Sequence, residues 1–157
     1  MKILVMSDSH GNIANIKHVM GFAKNINAEA IIHCGDWDDI EAINTLLSFE
    51  IPLYAVVGNA DIDHNIEEIL RFNTKGFSDS FLKIDIEGRK IGVIHEAKVK
   101  DPRFEGFSIV FSGHHHSQEK KMVNFTKFVR PGALISGINF AVYETITNEV
   151  EFINEEN

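Results

Sequence analysis

Three short apolar runs early in the chain end on the same kind of break: KILVM (2–6) meets SDSHGN, EAIIHC (29–34) meets GDWDD, and PLYAVV (52–57) meets GNAD. Apolar runs this short, bounded by Gly, Asp and Asn, read as buried strands closed by tight turns. Between them the spacing turns helical. Ile13, Ile16, Val19 and Met20 follow Asn12 as a cap, and Ile40, Ile43, Leu46 and Leu47 share one side of a second stretch. Strand, helix, strand, helix and strand in that order predict a layer of parallel strands, because each crossover brings the chain back to the same edge.

The later sequence is richer in strands. SFLKIDIEGRKIGVIHE (80–96) alternates around EGRK as a hairpin or two adjacent strands, and FSIVFSG (107–113) is another strand. KMVNFTKFVRPG (121–132) alternates before a Pro-Gly turn, and FAVYETITNEVEFI (140–153) reads as a closing strand pair turning near Asn148. No repeat, linker or low-complexity tract interrupts the chain, so the expectation is one α/β domain over residues 1–157. Its 12 phenylalanines suit a core between packed sheets.

Composition excludes several classes. A single cysteine, Cys34, leaves neither an internal disulfide nor a Cys-rich metal site. No apolar run approaches the roughly 18 residues of a membrane span, and MKILVMSDSHGN turns polar too early for a secretory leader, which points to the cytoplasm. With 23 acids against 15 bases the net charge is −8, which disfavours nucleic acid as a partner. A small phosphate ester stays compatible, because bound cations would invert the local potential.

The polar residues fall where they are most informative. Asp8 and His10 follow the first strand, Asp36 the second, Asn59 and Asp61 the third; His95 ends a later strand and His114, His115 and His116 follow the next. In open α/β sheets, ligands gather at the carboxyl ends of parallel strands. Each cluster has an ordinary alternative: an Asx-type turn at DSHGN, a helix cap at Asp36, a left-handed turn at Asn59, a strand-edge histidine at His95. Those alternatives must hold by coincidence at successive strand ends. Carboxylate, imidazole and amide oxygen without thiolate suit Mn²⁺, Fe²⁺, Zn²⁺, Co²⁺ or Ni²⁺. Asp8 and His10, two apart in an extended turn, can grip one ion; Asp36 has two oxygens and can bridge two. By the same spacing His114 and His116 share a side while His115 points away, to solvent or as an extra imidazole.

Asp8-x-His10, Gly35-Asp36, Gly58-Asn59-x-Asp61, His95 and Gly113-His114-x-His116 together resemble the calcineurin-like metallophosphoesterases, closest to their small single-domain phosphodiesterases of bacteria and archaea. The resemblance covers nearly the whole chain, including Pro131-Gly132. It implies a sandwich of two mixed β-sheets flanked by α-helices. It also implies two divalent ions, Mn²⁺ first among the candidates, with Asp8, His10, Asp36 and His116 on one and Asp36, Asn59, His95 and His114 on the other. The implied reaction is hydrolysis of a phosphate ester, a diester in preference, by a hydroxide bridging the two ions. Homo-oligomerisation stays open.

Three departures from the family pattern stand out. Ala60 replaces the histidine or cysteine that follows the asparagine in relatives, Ile94 and Glu96 replace a threonine and a glycine around His95, with the second histidine missing, and the segment from His95 to SGHHHS is short. Loss of these helpers supports an alternative, a binding or scaffold module on the same fold, like the retromer subunit that resembles the family. Around the ligands, Asp61 orients a histidine or holds a turn, Trp37 packs under a helix start or walls the substrate, and His33 is a buried hydrogen-bonded residue. Lys98, Lys100 and Arg103 read as a solvated face, Cys34 as a small buried hydrophobe, and His18 (helix) and His64 (loop) as residues without partners.

Overall fold

The strand β1 (Lys2–Met6) sends Ile3 and Val5 into one apolar core and Leu4 and Met6 into another, so its sheet needs a layer on each face. The computed structural model of the chain describes residues 1–155 and supplies both layers. β2 (Ala30–His33), β3 (Leu53–Val56) and β4 (Gly76–Ser78) continue from β1 in parallel. β10 (Ile138–Glu144) and β11 (Glu149–Glu155) extend its other edge antiparallel, giving the order β11-β10-β1-β2-β3-β4. The second sheet holds β5 (Phe81–Ile86), β6 (Arg89–Ile94), β7 (Ile109–Phe111), β8 (Gln118–Val123) and β9 (Thr126–Pro131) in the order β5-β6-β7-β9-β8. Ile91, Val93, Ile109, Phe111 and Val129 of that sheet close on Ile3, Val5, Ile32, Val56 and Tyr143 of the first.

This is the expected sandwich of two mixed sheets, with the helices on one side of it. α1 (Ile13–Asn25), α2 (Ile40–Leu47) and α3 (His64–Asn73) all pack on the outer face of the first sheet, placing Ile16, Val19, Met20, Ile43, Leu46, Ile66 and Leu70 against Leu4, Met6 and Ile31. The outer face of the second sheet is covered instead by the chain that leads to β7. There Phe104, in a single 3₁₀ turn (Pro102–Phe104), packs edge-on against Phe81 and Phe128. The short segment after His95 is thus spent on covering a sheet.

Two elements escape the sequence pattern. His64, read as a loop residue, opens α3 behind the Asp63 cap, whose side chain accepts from the Asn65 N–H. Only Ile66 and Leu70 of that helix are buried, too sparse a stripe to stand out from its polar neighbours. KMVNFTKFVRPG is a hairpin, β8 to β9, turning at Asn124 and Phe125 with φ of 48° and 70°. An aromatic residue seldom takes a left-handed turn position, so the turn signal there rests on Asn124 alone. No helix among the described residues is long and apolar enough to cross a membrane.

Candidate metal centre

The loops after β1, β2, β3, β6 and β7 converge at one end of the sandwich. The first two are stitched by backbone bonds: Asp8 N–H to Gly35 O (3.0 Å), His10 N–H to Asp36 O (3.0 Å) and Gly11 N–H to Trp37 O (2.9 Å). Gly113 N–H donates to His95 O (2.8 Å), and the segment before β10 closes the group through Ile135 N–H to Asp8 O (3.0 Å). The stitching holds an unfavourable backbone. Asp8, His10, Asp36, Asp38, His114 and His116 have φ of 52°, 42°, 60°, 62°, 69° and 51°. Left-handed non-glycine residues persist where surrounding structure over-determines them, and they collect at functional sites. The extended turns expected at Asp8-x-His10 and His114-x-His116 are therefore left-handed instead. Asn59, by contrast, is not among the positive-φ residues, and Asp39, not Asp36, caps α2.

All seven residues singled out for metal binding are brought together. Asp8 is fully buried and Asp36 nearly so. The His116 Nε2 lies 3.4 Å from Asp8 Oδ1, and Asp36 Oδ2 lies 3.5 Å from His10 Nε2 and 3.4 Å from His95 Nε2. Asn59 Oδ1 is 2.9 Å from His95 Nε2 and 3.0 Å from His114 Nδ1. Ligand atoms of Asp8, His10 and His116 fall within 4.8 Å of one another, as do those of Asp8, Asp36 and His95. His115 is exposed to solvent.

The ring nitrogens facing away from this centre reveal what the facing ones carry. His95 Nδ1 sits 2.9 Å from Cys34 O, and His10 Nδ1 sits 2.8 Å from Asp38 Oδ2. Both partners only accept, so both Nδ1 atoms donate. In the neutral rings each Nε2 then aims a lone pair at oxygens of Asp36, and His95 at Asn59 as well. Lone pairs converging on oxygens repel unless a proton or a cation lies between them, and a shared cation satisfies all of them at once. The donor set therefore fits divalent metal, each of these two histidines oriented through its far nitrogen as metal-bound imidazoles are. Burial opposes ionisation of Asp36, yet the neighbouring His95 ring and the Ala60 N–H hold its carboxyl below the usual range. Burial likewise disfavours charge on His95, but the Asp36 carboxylate beside it and the Cys34 carbonyl raise its pKa.

Close packing depends on residues without a Cβ. A Cβ on Gly58 would lie 2.1 Å from Asp36 Oδ1, and one on Gly113 would lie 1.9 Å from Ser7 Oγ and 2.5 Å from Asp8 Oδ2. Gly58→Ala is therefore expected to push the Asp36 carboxylate aside. Mn²⁺ affinity by calorimetric titration should fall about 10-fold or more, and stability by about 1–3 kcal/mol. Unchanged titration and melting would show that the loop yields freely.

The surrounding residues sort clearly. Asp61 orients no histidine. Its Oδ1 accepts from the N–H of Trp37 (2.7 Å) and Asp38 (2.9 Å), its Oδ2 from Asp36 (2.9 Å) and Gly58 (2.7 Å), and so it clamps the loops after β2 and β3. Burial and the charge of Asp36 raise its pKa against the Gly58, Asp38 and Trp37 donors. Trp37 is fully buried, stacked on His33 with Nε1 donating to Val56 O, so it cannot wall a substrate. Lys98 and Lys100 are exposed, and Arg103 pairs with Asp101. Cys34 is buried, and His18 does have a partner, Glu155 at 2.6 Å. Asp38, which holds the far nitrogen of His10, was passed over by sequence reasoning. Its one signal was an acid two places beyond Asp36. The Cys34 carbonyl left none, being backbone. A groove of about 700 Å³ on the outer face of the second sheet, lined by Val99, Phe104, Phe125 and Phe128 among others, shares no residue with the centre.

The two-sheet α/β sandwich gathers carboxylate, imidazole and amide groups at its strand ends, the architecture that the resemblance to the phosphoesterases implied. The chain belongs to the calcineurin-like phosphoesterase superfamily, whose domain matches residues 1–147. It is 27% identical over 141 residues to the phosphodiesterase MJ0936 of Methanocaldococcus jannaschii, covering 84% of this chain and 83% of that one. Its fold is similar to that of an archaeal phosphodiesterase, with a TM-score of 0.87, 24% identity and coverage of 99% of this chain and 100% of the other. It is also similar to Vps29 from Entamoeba histolytica, with a TM-score of 0.69, 18% identity and coverage of 100% and 99%.

Proposed function

We propose that this chain is a metal-dependent phosphodiesterase acting on small phosphate esters, with two divalent ions at the centre described above. The observation that carries the reading is the convergence of imidazole lone pairs and carboxylate and amide oxygens on one space, backed by membership of a phosphoesterase family. Asp8, His10, Asp36 and His116 would hold one ion and Asp36, Asn59, His95 and His114 the other. Mn²⁺ is the first choice, and Ni²⁺, Fe²⁺, Zn²⁺ and Co²⁺ suit the same donors. When bound, the ions supply Lewis acidity at the phosphoryl oxygens and acidify water at neutral pH.

The protein's own part is geometric. Asp38 and the Cys34 carbonyl fix the rotation and tautomer of His10 and His95, and Asp61 fixes the loop that presents Asp36. Asn59 offers an oxygen without adding charge. Ala60, where relatives carry a proton donor, leaves departure of the leaving group unassisted. A domain over residues 1–157 working in the cytoplasm agrees with this reading.

Hydrolysis of a chromogenic phosphodiester and the matching monoester in Mn²⁺, Ni²⁺ and Zn²⁺ tests it, beside Asn59→Ala and His114→Ala. Metal-stimulated turnover with the diester ahead, reduced about 100-fold by either substitution, is the expected result. Inertness with every metal would instead favour a scaffold role, the second reading, which Ala60 and Glu96 support.

A further inference from the structure

The loops carrying Asp8, His10 and Asp36 share one buried imidazole that no ligand set uses. His33 is fully buried, and its Nδ1 accepts from the Gly35 N–H at 3.1 Å. That bond places the ring proton on Nε2, which faces Ser9 Oγ at 3.0 Å. The Ser9 hydroxyl, also fully buried, leads on to the Asp36 carbonyl at 3.5 Å. Ser9 stands between Asp8 and His10, and Gly35 stands directly before Asp36. The ring plane is set by Trp37, stacked at 3.5 Å and 18°.

Neither loop keeps its shape by local preference, because Asp8, His10 and Asp36 all lie at positive φ. Three backbone bonds at Asp8, His10 and Gly11 join the two loops, and one rigid ring bonded to each loop adds a spacer of fixed size beside them. We infer that His33 is a positioning residue for the metal centre, setting through Ser9 and Gly35 the separation of the Asp8–His10 loop from Asp36. The inference rests on the reading of that centre as a metal site. A buried histidine can also serve stability alone, and the two roles predict different measurements. A stabilising residue moves the melting temperature; a positioning residue moves the metal affinity of the folded protein.

The test uses His33→Phe, which keeps a flat ring against Trp37 but deletes both ring bonds, and Ser9→Ala, which deletes the His33–Ser9 bond from the far side together with the long contact to the Asp36 carbonyl. Each is expected to weaken Mn²⁺ binding about 10–100-fold by calorimetric titration of folded protein. The double variant should be no weaker than His33→Phe beyond about 3-fold, since the His33–Ser9 bond is already lost in that variant. For Ser9→Ala the Mn²⁺ concentration giving half-maximal turnover should rise in step, with kcat at saturating metal little changed. Should His33→Phe fail to fold, Ser9→Ala alone decides. Wild-type Mn²⁺ affinity in Ser9→Ala, or in both variants, whatever their melting temperatures, overturns the inference. Wild-type protein that binds no Mn²⁺, as Asp36→Asn also would not, brings down the metal reading itself, a different outcome from intact binding that ignores His33.

Discussion

Asp36→Asn is expected to abolish metal-stimulated hydrolysis while leaving the fold at least as stable as before. In the proposed centre Asp36 is the residue shared by both ions, and its charge is what a neutral amide cannot replace. The loss should be on the order of 10³-fold in kcat/KM, the several kcal/mol of charge stabilisation that Lewis acids contribute to such a reaction. The substitution is isosteric and its local consequences can be followed atom by atom. Oδ1 accepts from the Ala60 N–H at 2.9 Å and would go on doing so as an amide oxygen. The other position, where Oδ2 now faces Nε2 of His10 and His95, would carry an NH₂ group. That group can donate to the same lone pairs that a cation would otherwise satisfy. The metal-free variant should therefore melt no lower than the metal-free parent, and calorimetric titration with Mn²⁺ should show binding lost. Retained turnover, or a collapse of the fold, would each contradict this account of the centre.

The second large effect concerns the leaving group. General acid assistance contributes about 10²–10⁴-fold where it operates, and Ala60 has no proton to give. An aryl leaving group needs little assistance and an alkyl one needs a great deal. Hydrolysis of an activated aryl phosphodiester should thus exceed that of an alkyl diester by about 10³-fold or more at saturating Mn²⁺. Ala60→His should narrow the gap by raising the alkyl rate selectively. The Ala60 N–H is engaged with Asp36, so the substitution changes only what extends from the Cβ of a half-buried residue. Equal rates on the two substrates in the unmodified protein would mean that another group supplies the proton. Exposed His115, whose ring centroid lies 5.0 Å from that of His114, would be the first to replace.

Much of the architecture was legible because it follows from short-range rules. The short apolar run KILVM read as a buried strand and is one; Asn12 capped α1 as its side chain suggested, accepting from the Asn15 N–H. The elements that escaped were those whose short-range signal is weak. α3 buries only two side chains, and the β8–β9 turn uses an asparagine and a phenylalanine where glycine would have announced it. The site showed the same division. Motif order singled out the residues that the fold assembles, yet their backbone was misjudged: an extended turn was expected where the chain is left-handed at residue after residue. Sequence spacing carries no sign of φ for Asp or His, both of which tolerate either region.

By itself the sequence determined which chemical groups stand at the strand ends, and in what order, because strand termination and side-chain type are local properties. Tertiary structure alone decided which nitrogen of His10 and of His95 faces the centre, since that depends on Asp38 and on a Cys34 carbonyl reached only across the fold. It also decided what Asp61, Trp37 and His33 do: the sequence left Asp61 between orienting a histidine and holding a turn and Trp37 between packing and walling a substrate, and named no partner for His33. In the folded chain Asp61 clamps backbone, Trp37 is sealed in the core, and His33 joins two loops. The physical reason is the same in each case: a hydrogen bond's partner is fixed by distance in space, and residues such as Cys34 and His95 lie far apart along the chain.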